Sequence, residues 1–264
     1  MAIKMENWID IYASRQSGKI LTGTLSAVER VKWGDEEIPC AVVFYNGVKV
    51  IIPFSEMNVR EDIHVIRSMM GAEIDFVVRA IDTENEMAMA SRKYAMELRR
   101  KLELPKHKEG DIIQVRVDAV GRDAVYVEAY GIEARIPKSE VDYGFVRDLS
   151  EYVQVGDRVL AKIKKLDLEN GKITLSIKET KPDPRTTIKK KYSVGGEYLA
   201  TVTGMDYYGV FVNLEQGVDA LCVLPNWSDF NVSPGDKLLV KITRINEKEG
   251  KITAKMVRVV KRAV

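Results

Sequence analysis

Apolar and polar residues alternate with a period of two along many short stretches of this chain, which is typical of half-buried β-strands. The stretch 113–118, which reads Ile-Gln-Val-Arg-Val-Asp, is a clear case. Four more short strands follow at 124–128, 132–136, 159–164 and 172–177, and Gly, Pro, Asn and Asp turn residues separate them. The pattern therefore predicts five strands between residues 109 and 178.

The chain contains this pattern three times. The segment 47–57, Gly-Val-Lys-Val-Ile-Ile-Pro-Phe-Ser-Glu-Met, returns at 131–141 and again, weakened, at 217–227. A second segment follows each copy and superimposes without a gap; its copies begin at Gly71, Gly156 and Gly235. Two anchors that recur in a fixed order indicate one small β-structure built three times.

Five strands on so few residues leave open sheet edges unless the sheet closes into a small barrel. A polar connection after the third strand, 138–154 in the second repeat, has room for a helical turn. We predict a mainly all-β fold: three tandem five-stranded OB-fold barrels with an N-terminal helix and a helical first linker. The predicted order is a helix at 1–16, repeats at 17–93, 109–178 and 195–260, a helical basic linker at 94–108, and a Pro/Lys linker at 179–194.

Segments outside the strands have their own patterns. Helical spacing over 3–15 places Trp8, Ile11 and Tyr12 on one side, and a second helix over 92–104 is expected to join the first two repeats stiffly. The linker at 180–187 contains two prolines and is expected to be extended.

The first repeat also carries an insertion at 29–39. It reads as a hairpin with Trp33 at its tip.

Charge narrows the class of partner. The 264 residues include 41 basic and 39 acidic residues, so the net charge is only +2, which argues against a protein that coats duplex nucleic acid by charge alone. Basic clusters at 92–108 and 179–191 fall between repeats. Each is either a solvated segment or a surface that tracks phosphates.

Three observations favour a soluble protein of the cytoplasm. Cys40 and Cys222 lie in different repeats and cannot form a disulfide framework, which points to a reducing compartment. The first residues carry charges where a signal peptide would have its apolar run. No apolar stretch approaches the length that spans a bilayer.

The repeats resemble the RNA-binding repeat of ribosomal protein S1, a family of OB-fold barrels. The resemblance covers most of the chain beyond residue 16. It rests on Ile-Pro-Phe-Ser-Glu at 52–56, Ile-Pro-Lys-Ser-Glu at 136–140, Gly-Asp-Arg-Val at 156–159, and Leu166-Asp167 leading to Leu-Ser-Ile-Lys at 175–178. The third repeat adds Tyr-Gly-Val-Phe-Val at 208–212, which is similar to the family's aromatic-Gly-x-aromatic-Val segment.

Tyr208 and Phe211 form the candidate stacking pair. Their spacing would normally put the two rings on opposite faces of a strand, but a bulge at Gly209 would let both face outward. Two exposed rings make a platform for unpaired bases, with about 1 to 3 kcal/mol per stacked base. The alternative is that one ring belongs to the core.

The resemblance also implies a polar residue at the end of strand four and a basic residue after the following turn. These are Asp167 and Lys172 in the second repeat, and Asn246 and Lys251 in the third. An Asp or Asn can bond a base edge and a Lys can meet a phosphate. The alternative is plain turn chemistry.

The copies differ at the candidate site. The second repeat has Arg122 and Val125 in place of Tyr208 and Phe211, so that stacking would fall to a guanidinium plane, with Arg135 on the neighbouring strand. The first repeat has no aromatic pair there; it keeps Asp82 but has Met87 where the others have Lys.

Where the family often has a His on strand three, this chain has Pro53, Pro137 and Val223. Because the first repeat lacks the aromatic pair, we expect it to dock on a protein or to be structural. Trp8 and Trp33 are its candidate surfaces.

Sequence patterns of catalysis were not found. His64 and His107 have no nearby Cys or carboxylate set with metal-ligand spacing, and no Gly-rich phosphate loop, nucleophile elbow or kinase signature occurs. We expect no enzyme activity, no cofactor and no metal.

We expect a non-catalytic, monomeric binder of single-stranded RNA, in translation or RNA metabolism, whose second and third repeats hold RNA while the first docks on a protein. The alternative is an adaptor of bacterial or phage origin that binds the ribosome or RNA polymerase mainly by protein contacts.

Overall fold

The structure is a computed structural model of the chain. It describes residues 2–144, 146–186, 188–215, 217–223, 232–246 and 250–263, without the side chains of 2–7, 185 and 189. The end of the third repeated segment, 224–227, therefore lies outside the described residues. The chain divides into two compact units, one of residues 1–138 and 148–180, the other of 139–147 and 181–264.

The first unit contains two repeats. Its first repeat comprises α1 (Ala2–Ser17), β1 (Leu21–Trp33), β2 (Glu36–Tyr45), β3 (Val48–Pro53), α2 (Ile63–Ser68), β4 (Glu73–Asp82) and β5 (Met87–Ser91). Helix α3 (Arg92–Leu102) leads to the second repeat, which comprises β6 (Ile112–Val120), β7 (Ala124–Ala129), β8 (Ile132–Pro137), β9 (Arg158–Asp167) and β10 (Lys172–Ser176).

The second unit contains the third repeat. Its elements are α4 (Ile188–Lys191), β11 (Glu197–Asp206), β12 (Gly209–Glu215), β13 (Val218–Val223), β14 (Lys237–Asn246) and β15 (Lys251–Lys261).

The five strands of each repeat follow one order. In the first and third repeats the sheet is a closed barrel, of order β1-β2-β3-β5-β4 and β11-β12-β13-β15-β14. The second repeat has the order β10-β9-β6-β7-β8, in which β8 and β10 lie close together without forming a ladder. The predicted mainly-β fold of OB-type repeats, with an N-terminal helix and a helical first linker, is confirmed.

Period-two alternation decides what each barrel buries. Along β12 the side chains of Val210 and Val212 are buried in the core while Phe211 between them is only half-buried. Along β7, Val125 and Val127 are buried while Tyr126 is exposed. One face of each strand therefore builds the core and the other is left for contacts outside it.

The second linker differs from its predicted conformation. The second linker is not simply extended: it forms a 3-10 turn at Pro184–Thr186 and the short helix α4. Ile188 is buried in the core of the third barrel, and this burial fixes the segment. A single apolar residue in a polar run gives little sign of such docking.

The first two repeats are held together by buried ion pairs. The guanidinium of Arg92, only 1% exposed, contacts Oδ2 of Asp118 at 2.6 Å and Oε1 of Glu133 at 2.5 Å. Arg116 of β6 donates two hydrogen bonds of 2.8 Å to the carboxylate of Asp75 on β4. Charges taken out of water need such partners, so these pairs fix the junction in one arrangement.

Close backbone contacts at two glycines tighten the same junction. A Cβ built on Gly131 would lie 2.0 Å from the carbonyl oxygen of Met96 on α3, and one on Gly156 would lie 2.7 Å from that of Gly71. Side chains at either place would force the repeats apart.

Candidate nucleic-acid interface

An outward-facing row of side chains crosses the third barrel. The ladder pairs Phe211 of β12 with Leu221 of β13, Leu221 with Thr253 of β15, and Thr253 with Arg244 of β14. Each of the first three lies between two buried core residues, so it points away from the core. The row joins an aromatic ring, two smaller side chains and a cation.

Three aromatic rings form a chain at one end of this row. The ring centroids of Tyr207 and Tyr208 lie 4.9 Å apart, and those of Tyr208 and Phe211 lie 5.9 Å apart. Successive rings are nearly perpendicular, at 89° and 87°. Tyr207 is 96% exposed and Tyr208 46%, so ring faces are open to unpaired bases.

Gly209 does not act through a bulge as we predicted. Asp206 pairs directly with Gly209, so that Tyr207 and Tyr208 form a two-residue hairpin turn and Tyr208 precedes the strand. Both predicted rings do lie on the outer side, because one is on the turn and the other on the strand. Gly209 is needed for another reason: a Cβ there would lie 2.8 Å from the carbonyl oxygen of Cys222.

The polar pair predicted for the third repeat lies at the end of the neighbouring hairpin. Asn246 and Lys251 are cross-strand partners on β14 and β15. The turn between them, 247–249, lies outside the described residues. Both side chains are on the barrel that carries the aromatic chain.

In the second repeat the position of Phe211 is taken by Tyr126, not by Val125. In β11 the register shifts just before Gly204, which pairs with Phe211. In β6 the register shifts at the corresponding place, just before Ala119, which pairs with Tyr126. Val125 is fully buried, whereas Tyr126 is 47% exposed. The predicted positions of Arg122 and Val125 are therefore wrong by one residue: Asp123 and Tyr126 take the places of Tyr208 and Phe211. The alternation of Val125 and Val127 around Tyr126 was the signal that could have found it.

The outward row of the second repeat is more basic than that of the third. In this row Tyr126 pairs with Arg135 of β8, and Thr174 of β10 pairs with Lys165 of β9. These four residues take the positions that Phe211, Leu221, Thr253 and Arg244 take in the third repeat. Arg135 therefore lies beside an exposed ring, as expected of a stacking neighbour. Arg122 is exposed in the hairpin turn, at the place of Tyr207.

Asp167 is used by its own turn. The backbone amide of Asn170 donates to Oδ1 at 2.9 Å, and the side-chain amide donates to Oδ2 at 2.7 Å. These hydrogen bonds lower the pKa of Asp167. Asp82 of the first repeat makes the same contacts with Asn85, and its pKa is lowered in the same way. Turn chemistry therefore accounts for Asp167, while its cross-strand partner Lys172 is exposed.

The corresponding face of the first repeat is an apolar cluster. Val42, Ile51, Met89 and Ala80 take the row positions, since their ladder pairs repeat the register of the other barrels. Val42 and Ile51 are fully buried with Cys40 and Val31 in a second cluster outside the barrel core. At the positions where the other repeats carry Tyr126 and Phe211, the outer cluster has the buried aliphatic side chain of Val42.

Trp33 packs against this outer cluster. It is the last residue of β1 and pairs with Glu36, so it lies directly beside the two-residue turn Gly34–Asp35 at the end of the predicted hairpin, and it is half-buried. Trp8 on α1 packs against the core of the first barrel, with its ring centroid 6.1 Å from that of Tyr12. Docking on another protein through either tryptophan stays a prediction.

Comparison with known protein families agrees with this geometry. A model of the S1 RNA binding domain matches residues 106–178 and 191–256. These segments cover the second repeat and most of the third, and they make up just over half of the chain. The chain belongs to the S1 RNA-binding domain family.

Curated relatives extend the similarity to the first repeat. Small ribosomal subunit protein bS1 of Pseudomonas aeruginosa is 26% identical over 96% of this chain and 46% of its own length. The bS1 protein of Neisseria meningitidis is 27% identical over 97% and 46%. The 4-hydroxy-3-methylbut-2-enyl diphosphate reductase of Clostridium acetobutylicum is 26% identical over 80% of this chain and 35% of its own. The chain thus spans about half the length of the bS1 relatives and about a third of the length of the reductase.

Within the part of the chain that the structure describes, no helix is both long enough and apolar enough to cross a membrane. The same residues contain no group of three or more His, Cys, Asp or Glu side chains placed to hold a metal ion.

Proposed function

We propose that this chain is a non-catalytic, monomeric binder of single-stranded RNA in the cytoplasm, whose second and third repeats hold the RNA. The observation that carries the proposal is the shared register of Tyr126 and Phe211, each an outward ring in the same place of its barrel. Aromatic rings on an OB barrel stack on bases of any sequence. We expect affinity with little sequence preference from this part of the site.

The cations around the rings supply the phosphate contacts. Lys172 and Lys251 follow the same strand-four turn in two repeats, and Arg135 and Arg244 lie in the outward rows. With a net charge of only +2, affinity should fall with salt less steeply than for a strongly basic protein. Each barrel alone should bind weakly, and linkage of the two makes the second contact intramolecular.

The first repeat has a different role in this proposal. Its row is apolar, and Val42 and Ile51 are buried in it against the first hairpin, so we propose that it docks on a protein or stiffens the array. Similarity to bS1 proteins supports a place in translation, with the ribosome as the protein partner. An adaptor that binds the ribosome or RNA polymerase mainly by protein contacts is the second candidate, and the apolar first-repeat face is the observation that favours it.

Titration of purified protein against fluorescein-labelled unstructured RNA, followed by anisotropy at two salt concentrations, tests the proposal. The double variant Tyr208→Ala with Phe211→Ala should weaken binding, while Phe44→Ala, which removes an exposed ring from the first repeat, should not. If the double variant folds and binds as tightly as the parent, the stacking site is wrong. Absence of binding at low salt would favour the adaptor.

A further inference from the structure

A cleft of about 370 Å³ lies between the first two repeats, beside the exposed ring of Tyr126. Val65 and Met69, from the α2 region of the first repeat, form one side, and Ala119 and Tyr126 of the second repeat form the other. This volume is within the range of small-ligand sites, about 300 to 1,000 Å³. Both sides belong to one compact unit, and the buried pairs of Arg92 and Arg116 hold them in place.

The cleft has acidic groups in an otherwise mostly apolar wall. Asp118 and Glu133 both line it, and Asp118 is 5% exposed. Among the described residues, Oδ1 of Asp118 has no hydrogen-bond partner, although Oδ2 is bonded by Arg92. A buried polar atom without a partner carries a free-energy cost that a ligand donor can remove.

These features together select the chemistry of the occupant. Apolar walls beside a tyrosine ring suit the face of an aromatic heterocycle. Two carboxyl groups favour an edge rich in N–H donors and disfavour one with two carbonyl oxygens. The exocyclic amino groups of cytosine, adenine and guanine meet this requirement, whereas uracil presents carbonyl oxygens on both sides of its single N–H.

We propose that this cleft receives one unpaired amino-bearing nucleobase of the RNA that stacks on Tyr126. The inference rests on the proposed RNA-binding function and deepens it, because the cleft adds base preference to a stacking surface that has little of its own. Arg60, whose side chain is 82% exposed at the rim, lies where it can meet the phosphate of the inserted nucleotide.

Oligocytidine and oligouridine are the matched probes, since both are single pyrimidine strands and cytosine carries an amino group where uracil carries a carbonyl oxygen. At pH 8, where Asp118 is mostly ionised and both of its oxygens accept, the parent protein should bind labelled oligocytidine about tenfold more tightly than oligouridine, the value of one hydrogen bond to a charged acceptor. Ser68→Trp places a ring in the cleft from an exposed position on α2 and should bring this ratio close to one. Met70→Trp, exposed nearby but outside the cleft lining, should leave the ratio unchanged.

The outcomes separate the two proposals. If both strands bind equally to the parent, or if Ser68→Trp and Met70→Trp behave alike, the cleft inference is overturned while RNA binding stands. If neither strand binds, or if Tyr126→Ala and the Tyr208→Ala with Phe211→Ala variant leave binding of both strands unchanged, the proposed function itself fails. If circular dichroism shows that Ser68→Trp does not fold, the smaller Ser68→Leu replaces it, and the ratio of oligocytidine to oligouridine affinity is measured in the same way.

Discussion

Tyr126 and Phe211 occupy one register position in two barrels, opposite Ala119 and Gly204 respectively, directly after the irregularity in the first strand of each repeat. The two rings are therefore equivalent, although the hairpins before them share no aromatic motif.

The equivalence predicts that Tyr126→Ala weakens binding to unstructured RNA by about 1 to 3 kcal/mol, the value of one base stack. The neighbouring Val125→Ala should instead lower the free energy of unfolding by about 0.5 to 3 kcal/mol, because Val125 is fully buried. Anisotropy and urea denaturation measure the two effects. The assignment is wrong if RNA affinity responds to Val125→Ala but not to Tyr126→Ala.

Gly131 is predicted to be essential for the junction of the first two repeats. Gly131→Ala puts a methyl group 2.0 Å from the carbonyl oxygen of Met96, at a φ of 84°. Gly110→Ala is the matched control, since its φ is 92° but nothing lies within 4 Å. Both variants bear the cost of an Ala at positive φ. Gly131→Ala also overpacks the junction, so its free energy of unfolding should be lower than that of Gly110→Ala by about 1 to 3 kcal/mol. Equal unfolding midpoints would mean that the hairpin does not pack on α3.

Trp33 is predicted to stabilise the first barrel without contributing to RNA affinity. Trp33→Ala removes half-buried apolar surface from the outer cluster and should lower the free energy of unfolding by about 1 to 3 kcal/mol. Phe44→Ala, an exposed position on the same hairpin, should change it much less. A loss of RNA affinity specific to Trp33→Ala would show that the first repeat contacts RNA after all.

Asp118 is predicted to make stability depend on pH. Burial, which outweighs the neighbouring Arg92, raises the pKa of Asp118 to about 7 from an ordinary 3.8. The folded state then holds more protons than the unfolded state between these values, so this carboxyl's contribution to stability falls as the pH rises from 4 to 7.

Asp118→Asn should remove this contribution. The loss of unfolding free energy between pH 5 and pH 8 should be smaller in the variant, with a difference on the order of 1 kcal/mol per pH unit below pH 7. Urea denaturation at each pH measures it, and parallel curves for the two proteins would contradict the prediction. Glu128, Glu133 and Arg116 also act on this carboxyl and remain in both proteins.

The sequence by itself determined the strands and the number of repeats. A period of two decides which residues can face a core, and three ordered copies of one pattern exclude most other folds. The aromatic pair of the third repeat could also be found from the sequence, because Tyr208 and Phe211 are close together in the chain.

Only the tertiary structure decided the register and the long-range contacts. The position of Tyr126 depends on where β6 changes its pairing with β7, and one residue of error exchanges a core valine for an exposed ring. The outer cluster of the first repeat and the pair of Arg116 with Asp75 join residues far apart in the chain, and no local pattern records which distant side chains will meet. The chain's local pattern therefore gives each barrel, while the packing between distant segments decides which faces remain open.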